Sequence, residues 1–389
     1  MNVPKLRFKE FQCEWESKKI IDLADYVDYR GKTPTKTNSG VLLVTAKNIK
    51  FGFIDYDCSK EYISESDFEE VMRRGKVAIN DVLFTTEAPL GNIASVDRIE
   101  IALAQRVIKY RGKENILDSQ FLKQIMLSER FQNLIASKAT GGTVLGIKGS
   151  VLHKLNITAP SLIREQTKIA TFLSAVDEKI AQLSRKHELL QQYKQGMMQQ
   201  LFSQKLRFKD NKGEDFPEVE YLPLESVLSY EQPTKYIVES VEYDDAYKTP
   251  VLTAGKSFIL GFTDEKSGIY QAKNNPVIIF DDFTTSYQFV NFDFKVKSSA
   301  MKILKPISVE FNIYYVFTVL STLEFSIGDE HKRRWISEYS KLEVMIPNLE
   351  EQTKIANFLK SIDNKIVNIA KQLQQAREWK QGLLQQMFV

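Results

Sequence analysis

Two cysteines, three histidines and no apolar run near membrane length set the first bounds on this 389-residue chain. Cys13 and Cys58 stand alone, which excludes a disulfide framework and a thiolate metal cluster. His153, His187 and His331 are far apart and lack carboxylate or cysteine neighbours at ligand spacing. The opening residues "MNVPKLRFKE" lack the apolar core of a signal peptide, so a cytoplasmic protein with no membrane contact is the expectation. Strong basicity is lacking too. The net charge is only +3, and residues 210–346 are distinctly acidic while the remainder is mildly basic. A chain that held nucleic acid alone through its phosphates would be more basic, so such a function would need local clusters or a basic partner.

What is present is a repeat. "EQTKIA" occurs at Glu165–Ala170 and again at Glu351–Ala356, and residues 165–202 match 351–388 without a gap. An ungapped match of that length is a duplication. Apolar residues recur in alternating steps of four and three through both copies. Ile169, Leu173, Val176, Ile180, Leu183 and Leu190 mark the first. Ile355, Leu359, Ile362, Ile366, Ile369 and Leu373 mark the second. The pattern predicts two long helices joined along an apolar seam. Asn348 with Glu351 three residues on reads as a helix start, and Ser161 takes that part in the first copy. Gly196 and Gly382 share one repeat position, where close backbone approach by a partner would offset the helical cost of glycine. Lys194 and Lys380 fall on the seam, which implies that it is open there or joined by another protein.

"KLRFK" stands at Lys5–Lys9 and directly after the first helix at Lys205–Lys209, so the chain reads as a ring of two repeats cut open before one copy. The first helix leaves domain one and the second must return toward it, which makes the pair antiparallel. The segments between the helices share no convincing sequence match. Strand-like runs "GVLLVT", "DVLFTT", "NPVIIF" and "SAMKIL", with the helical stretch "SQFLKQIMLSERFQNLIAS", describe two mixed α/β domains. Dissimilar heads on similar spacers suit recognition of two different surfaces at a set separation, and DNA half-sites about 34–36 Å apart are a natural target.

"PSLIREQTKIATFLSAVDEKI" and "IPNLEEQTKIANFLKSIDNKI", with "KQGMMQQLF" and "KQGLLQQMF", resemble the specificity subunit of type I restriction–modification enzymes. The resemblance implies a mixed α/β chain. Two globular target-recognition domains, 1–160 and 205–346, are separated by two antiparallel coiled-coil helices, 161–204 and 347–389, in a pseudo-twofold tandem repeat. It implies double-stranded DNA as ligand, one half of a bipartite site read by each domain, and a spacing set by the helices. Two methyltransferase subunits and restriction–translocase subunits would be partners. S-adenosylmethionine, ATP and Mg would then belong to those partners, with no cofactor and no catalysis on this chain. Its own residues agree: no Asn/Asp-Pro-Pro-aromatic motif and no glycine-rich cofactor fingerprint occur. "GGTVLGIKGS", Gly141–Ser150, departs from a phosphate loop because Ile147 precedes Lys148 and glycine follows it. A two-headed coiled-coil adaptor with no DNA role is the alternative.

Base and phosphate contacts call for cationic, amide and hydroxyl side chains on a shared surface. In domain one the candidates are Arg30, Lys32, Thr33 and Lys36 in "YRGKTPTK", then Lys47 and Asn48, then Thr143 and Lys148. In domain two "HKRRW" supplies His331, Lys332, Arg333, Arg334 and Trp335, suited to phosphate contact and stacking. Lys256 and Ser257, and Thr284, Ser286 and Tyr287, are further candidates. Asp281 and Asp282 could accept from cytosine amino groups or cap a turn.

Overall fold

The computed structural model describes residues 3–29, 34–254, 257–282, 284–323 and 334–389, without the side chains of Arg334 and Ser337. It divides into two compact units, Met1–Lys186 with Ile369–Val389 and His187–Asn368. Both boundaries fall inside the long helices, Ile163–Phe202 and Leu349–Met387, which the heptad pattern predicts.

Unit one contains β1 (Trp15–Lys19), β2 (Ala24–Asp28), β3 (Val41–Val44), β4 (Tyr62–Ile63), β5 (Val82–Thr86), β6 (Leu90–Ser95), β7 (Ile101–Leu103), β8 (Val107–Gly112) and β9 (Asn156–Pro160). A four-stranded sheet runs β2–β8–β5–β6, a three-stranded sheet β4–β3–β7, and β1 pairs with β9. β3 is antiparallel to β4 and parallel to β7. All five residues of β5 are buried, Val82, Leu83 and Phe84 as an apolar run and Thr85 and Thr86 with their hydroxyls donating to the carbonyls of Asn92 and Arg106. The stretch read as one helical piece is two helices, Ser119–Leu127 and Glu129–Lys138. Extended backbone at Ser128 breaks them, and its hydroxyl caps the second by accepting from Phe131 N.

Unit two contains β10 (Glu220–Pro223), β11 (Leu228–Glu231), β12 (Thr249–Leu252), β13 (Ile259–Thr263), β14 (Val277–Asp281), β15 (Tyr287–Val290), β16 (Lys295–Val296), β17 (Met301–Pro306) and β18 (Glu343–Ile346). Its sheets run β11–β17–β14–β15, β13–β12–β16 and β10–β18, strand for strand the topology of unit one. Here too the centre of the smaller sheet is antiparallel to one neighbour and parallel to the other. The helix Ile313–Leu320 stands where Ser119–Leu127 stands in unit one. The two interiors share no legible sequence match, yet they are one fold.

In each unit the core includes turns from both long helices. Ile169, Leu173 and Val176 lie with Leu383, Leu384 and Met387 in unit one, alongside Phe121 and Phe131. Leu201 lies with Ile355, Leu359 and Ile362 in unit two, alongside Tyr315 and Val316. Ile180 and Ile366 are partly buried beside these cores, Leu183, Ile369 and Leu373 are buried, and Leu190 is half-buried. Burying one such leucine contributes about 1.5–3 kcal/mol.

The seam lysines are not open. Lys380 is ion-paired with Asp177, and Lys194 Nζ lies 2.6 Å from Asp363 Oδ1. Asp177 and Asp363 are themselves repeat equivalents, so each copy supplies the counter-charge for the other. Each pair lies within one unit, Lys380 with Asp177 in the first and Lys194 with Asp363 in the second. At Gly196 and Gly382 nothing lies within 4 Å of where either Cβ would stand, so the chain itself makes no close approach there. The second helix is capped as expected, with Asn348 Oδ1 accepting from Glu351 N at 2.9 Å. The first begins at Ile163, which puts Leu162 rather than Ser161 at its cap position.

Candidate nucleic-acid interface

The repeated motifs build matching clamps before any ligand-facing surface is reached. Arg7 of the first "KLRFK" donates from Nε and Nη2 to both oxygens of Glu165, at 2.7 and 2.8 Å. Arg207 does the same to Glu351, at 3.1 and 2.6 Å. In each case a carboxylate at the start of the long helix is buried, and the paired guanidinium removes the cost of leaving it unmatched. Gln166 and Gln352, the next residues, are also buried and act identically. Gln166 Nε2 donates to the carbonyls of Pro160 and Ile116, and its Oε1 accepts from Asp118 N. Gln352 Nε2 donates to Pro347 and Glu310, and its Oε1 accepts from Asn312 N. Asp118 and Asn312 are the N-caps of the equivalent domain helices. Leu6 N donates to Gln386 O at 2.9 Å, as Leu206 N does to Gln200 O at 3.1 Å. In the sequence these roles show only as the repetition of "EQ" and of the arginine in "KLRFK".

Among the surface candidates of unit one, Lys47, Thr143 and Lys148 are exposed, and Lys36 reaches Glu61 at 2.7 Å while staying half in solvent. Thr143 lies in a loop closed by mutual backbone hydrogen bonds between Thr140 and Gly146, and anchored by Ile147 N donating to Thr86 O. Asn48 is not on the surface. It is fully buried, its Oδ1 accepts from Thr45 N and Oγ1, and its Nδ2 donates to the carbonyls of Asp55 and Ser59. Every hydrogen-bonding position of the amide is thus occupied within the protein. Arg30, Lys32 and Thr33 lie outside the described residues.

In unit two, Ser257, Thr284 and Ser286 are exposed, and Thr284 Oγ1 donates to Asp281 within the turn. Tyr287 is half-buried against Phe317, with ring centroids 5.8 Å apart, and burial raises its pKa. Trp335 is a core residue rather than a stacking platform. It is 1% exposed and packs on Phe280 at 5.3 Å. Asp282 accepts from Trp335 N and lies 3.5 Å from Lys302, so Asp281 and Asp282 hold a turn and are buried away from any base. Lys256, His331, Lys332 and Arg333, and the side chain of Arg334, lie outside what is described. No group of three His, Cys, Asp or Glu side chains able to hold a metal occurs among the described residues. No described helix is long and apolar enough to cross a membrane.

The type I restriction modification DNA specificity domain matches the sequence twice, over residues 13–192 and 218–377. The chain belongs to that family. Its two matches coincide with the two topologically identical heads and the helices that follow them. A specificity subunit of the type I restriction enzyme EcoR124I/EcoR124II from Escherichia coli is 56% identical over 138 residues, 34% of this chain and 33% of that one. The match therefore spans about a third of that relative. The MjaVIII specificity subunit of Methanocaldococcus jannaschii is 26% identical over 95% of this chain and 91% of its own length. A solved type I restriction–modification S subunit from M. genitalium superposes with a TM-score of 0.71 over 100% of this chain and 99% of its own, at 17% identity. That likeness concerns the fold. The chain is a type I specificity subunit with two recognition domains.

Proposed function

We propose that each unit reads one half of a bipartite DNA sequence and that the long helices set the gap between the halves. The observation that carries this is one fold used twice, fixed to its helices by the same arginine–glutamate and glutamine contacts, with exposed residues that differ between copies. Shared attachment with unshared surface is what two different half-sites demand. Lys36, Lys47, Thr143 and Lys148 serve the first half-site, and Ser257, Thr284 and Ser286 the second. Arg30, Lys32, Thr33, Lys256, His331, Lys332, Arg333 and Arg334 join them on the strength of their chemistry.

The chain chooses the site and performs no chemistry. Two methyltransferase subunits carrying S-adenosylmethionine dock on it, and restriction–translocase subunits using ATP and Mg complete the assembly in the cytoplasm. The modest net charge supports this division, because phosphate neutralisation is then shared with the partners. The test is to assemble the chain with methyltransferase subunits, supply S-adenosylmethionine and mixed DNA, and map the modified bases. One split sequence is expected. Uniform modification, or transfer by the chain alone, would overturn the reading.

A further inference from the structure

Two phenylalanines in unit one stand largely in solvent. Phe51 and Phe53 are 51% and 59% exposed, in the segment between β3 and β4, and neither ring meets another aromatic among the described residues. Exposed aromatics in a mobile loop would carry little meaning, but this turn is held from four sides. Lys50 N donates to Phe53 O at 2.9 Å, closing the turn on itself. Gly52 N donates to Ile93 O at 2.7 Å, and Asn92 Nδ2 donates to Ile49 O at 2.7 Å, fastening it to β6. Ile49 and Ile54, on either side, are buried in the core of the smaller sheet. The buried amide of Asn48 ties the base of the segment to Thr45, Asp55 and Ser59. Gly52 has φ +103°, a conformation that side-chain-bearing residues resist, so the tip geometry is specified by sequence. The result is a rigid knuckle with two rings outward and two lysines beside it, Lys47 exposed and Lys50 half-buried.

We infer that Phe51 and Phe53 form a wedge that enters the stack of the DNA half-site read by unit one, while Lys47 and Lys50 hold the flanking phosphates. The inference rests on the DNA-recognition reading above. Apolar side chains inserted between base steps unstack and bend a duplex, and the cations complement its backbone. Rigidity matters because a wedge ordered before binding loses little freedom on insertion. In unit two the exposed Ile259 and Leu260 lie on β13 itself, the counterpart of β4, so the wedge is assigned to unit one alone.

The experiment uses the full chain assembled with methyltransferase subunits and a duplex that the wild-type complex selects from a randomised pool. 2-Aminopurine placed step by step along that duplex reports unstacking by a rise in fluorescence. Wild type should brighten the probe at one step of one half-site in addition to the bases that the methyltransferase subunits flip out, which the Phe51 and Phe53 variants leave bright. Phe51→Ala with Phe53→Ala should abolish that rise and weaken binding at least about ten-fold. Phe51→Leu with Phe53→Leu, which keeps an apolar wedge, should retain most of both, and Val309→Ala, at a highly exposed apolar position of unit two, should change neither. Wild-type affinity and an unchanged probe signal in the alanine pair would overturn the wedge. So would loss of the methyltransferase subunits from the alanine pair on gel filtration, which would make the knuckle a protein contact. A wild-type complex that selects no duplex would remove the underlying reading, and the wedge with it.

Discussion

Arg7 and Glu165 are joined by a two-pronged ion pair whose carboxylate is wholly buried and whose guanidinium also reaches the carbonyl of Cys13, at 2.5 Å. The hydrogen bond to Glu165 raises the arginine pKa further above its ordinary value. Arg7→Ala would strand a charge in the interior and is expected to cost about 3–5 kcal/mol. Arg7→Lys loses the fork and should fall between. Urea unfolding of the three proteins checks the order, and equal midpoints would mean that the clamp does not hold unit one together.

Lys380 and Asp177 offer a second test. Lys380→Ala leaves Asp177 with Gln124 at 3.0 Å and Lys123 at 3.9 Å, and should destabilise by about 1–3 kcal/mol. Adding Asp177→Asn to Lys380→Met should recover most of the loss. A double-mutant cycle with no coupling would show that the pair contributes nothing to the seam.

Lys123 is buried, and desolvation lowers its pKa from the ordinary 10.5, against the opposing pull of Asp177. The folded state therefore releases this proton before the unfolded chain does. Stability should gain from that release as pH rises from the lowered folded value to about 10.5. Lys123→Met removes the titration, so the wild-type minus variant difference in Tm should grow more favourable to wild type over that window. A flat difference would refute the assignment.

The hydrogen bond from Leu6 to Gln386 repeats the one from Leu206 to Gln200 in an unbroken stretch of chain. A permuted protein, with residue 389 linked to residue 3 and new ends opened near Ser203, should keep its circular dichroism spectrum and lose no more than about 2 kcal/mol. Collapse of the fold would mean that chain continuity at 203–205 does what those contacts cannot.

Four residues inserted beside Ser184 lengthen the first helix by roughly 6 Å. The gap between half-sites should change and each half-sequence should stay the same, as read by mapping modified bases. An unaltered gap would detach the helices from measurement.

The helices are legible because heptad spacing is a direct image of burial along a seam, and β5 and β14 because each opens on an apolar run, Val82–Phe84 and Val277–Phe280. The shared topology of the heads was not legible. Strand order is fixed by which backbones pair, and many side-chain sets satisfy the same pairing. Residue type is a poor proxy for exposure. Asn48 has the amide of a base reader, yet its loop folds back and consumes it. Trp335 follows a basic run, yet Phe280 draws it inward. Phe51 and Phe53 show the converse, since phenylalanine reads as interior in a sequence and the knuckle holds both rings outside.

Gln166 and Gln352 each bind the exit of one strand and the entry of one domain helix with a single side chain. Such a joint asks nothing of the neighbouring side chains, because its partners are main-chain atoms present in any sequence. A head could accordingly be rewritten over nearly its whole outer face, or replaced by another of the same strand order, and still seat itself on the same helix. The lineage is left free to alter what it reads while the mounting stays as it was.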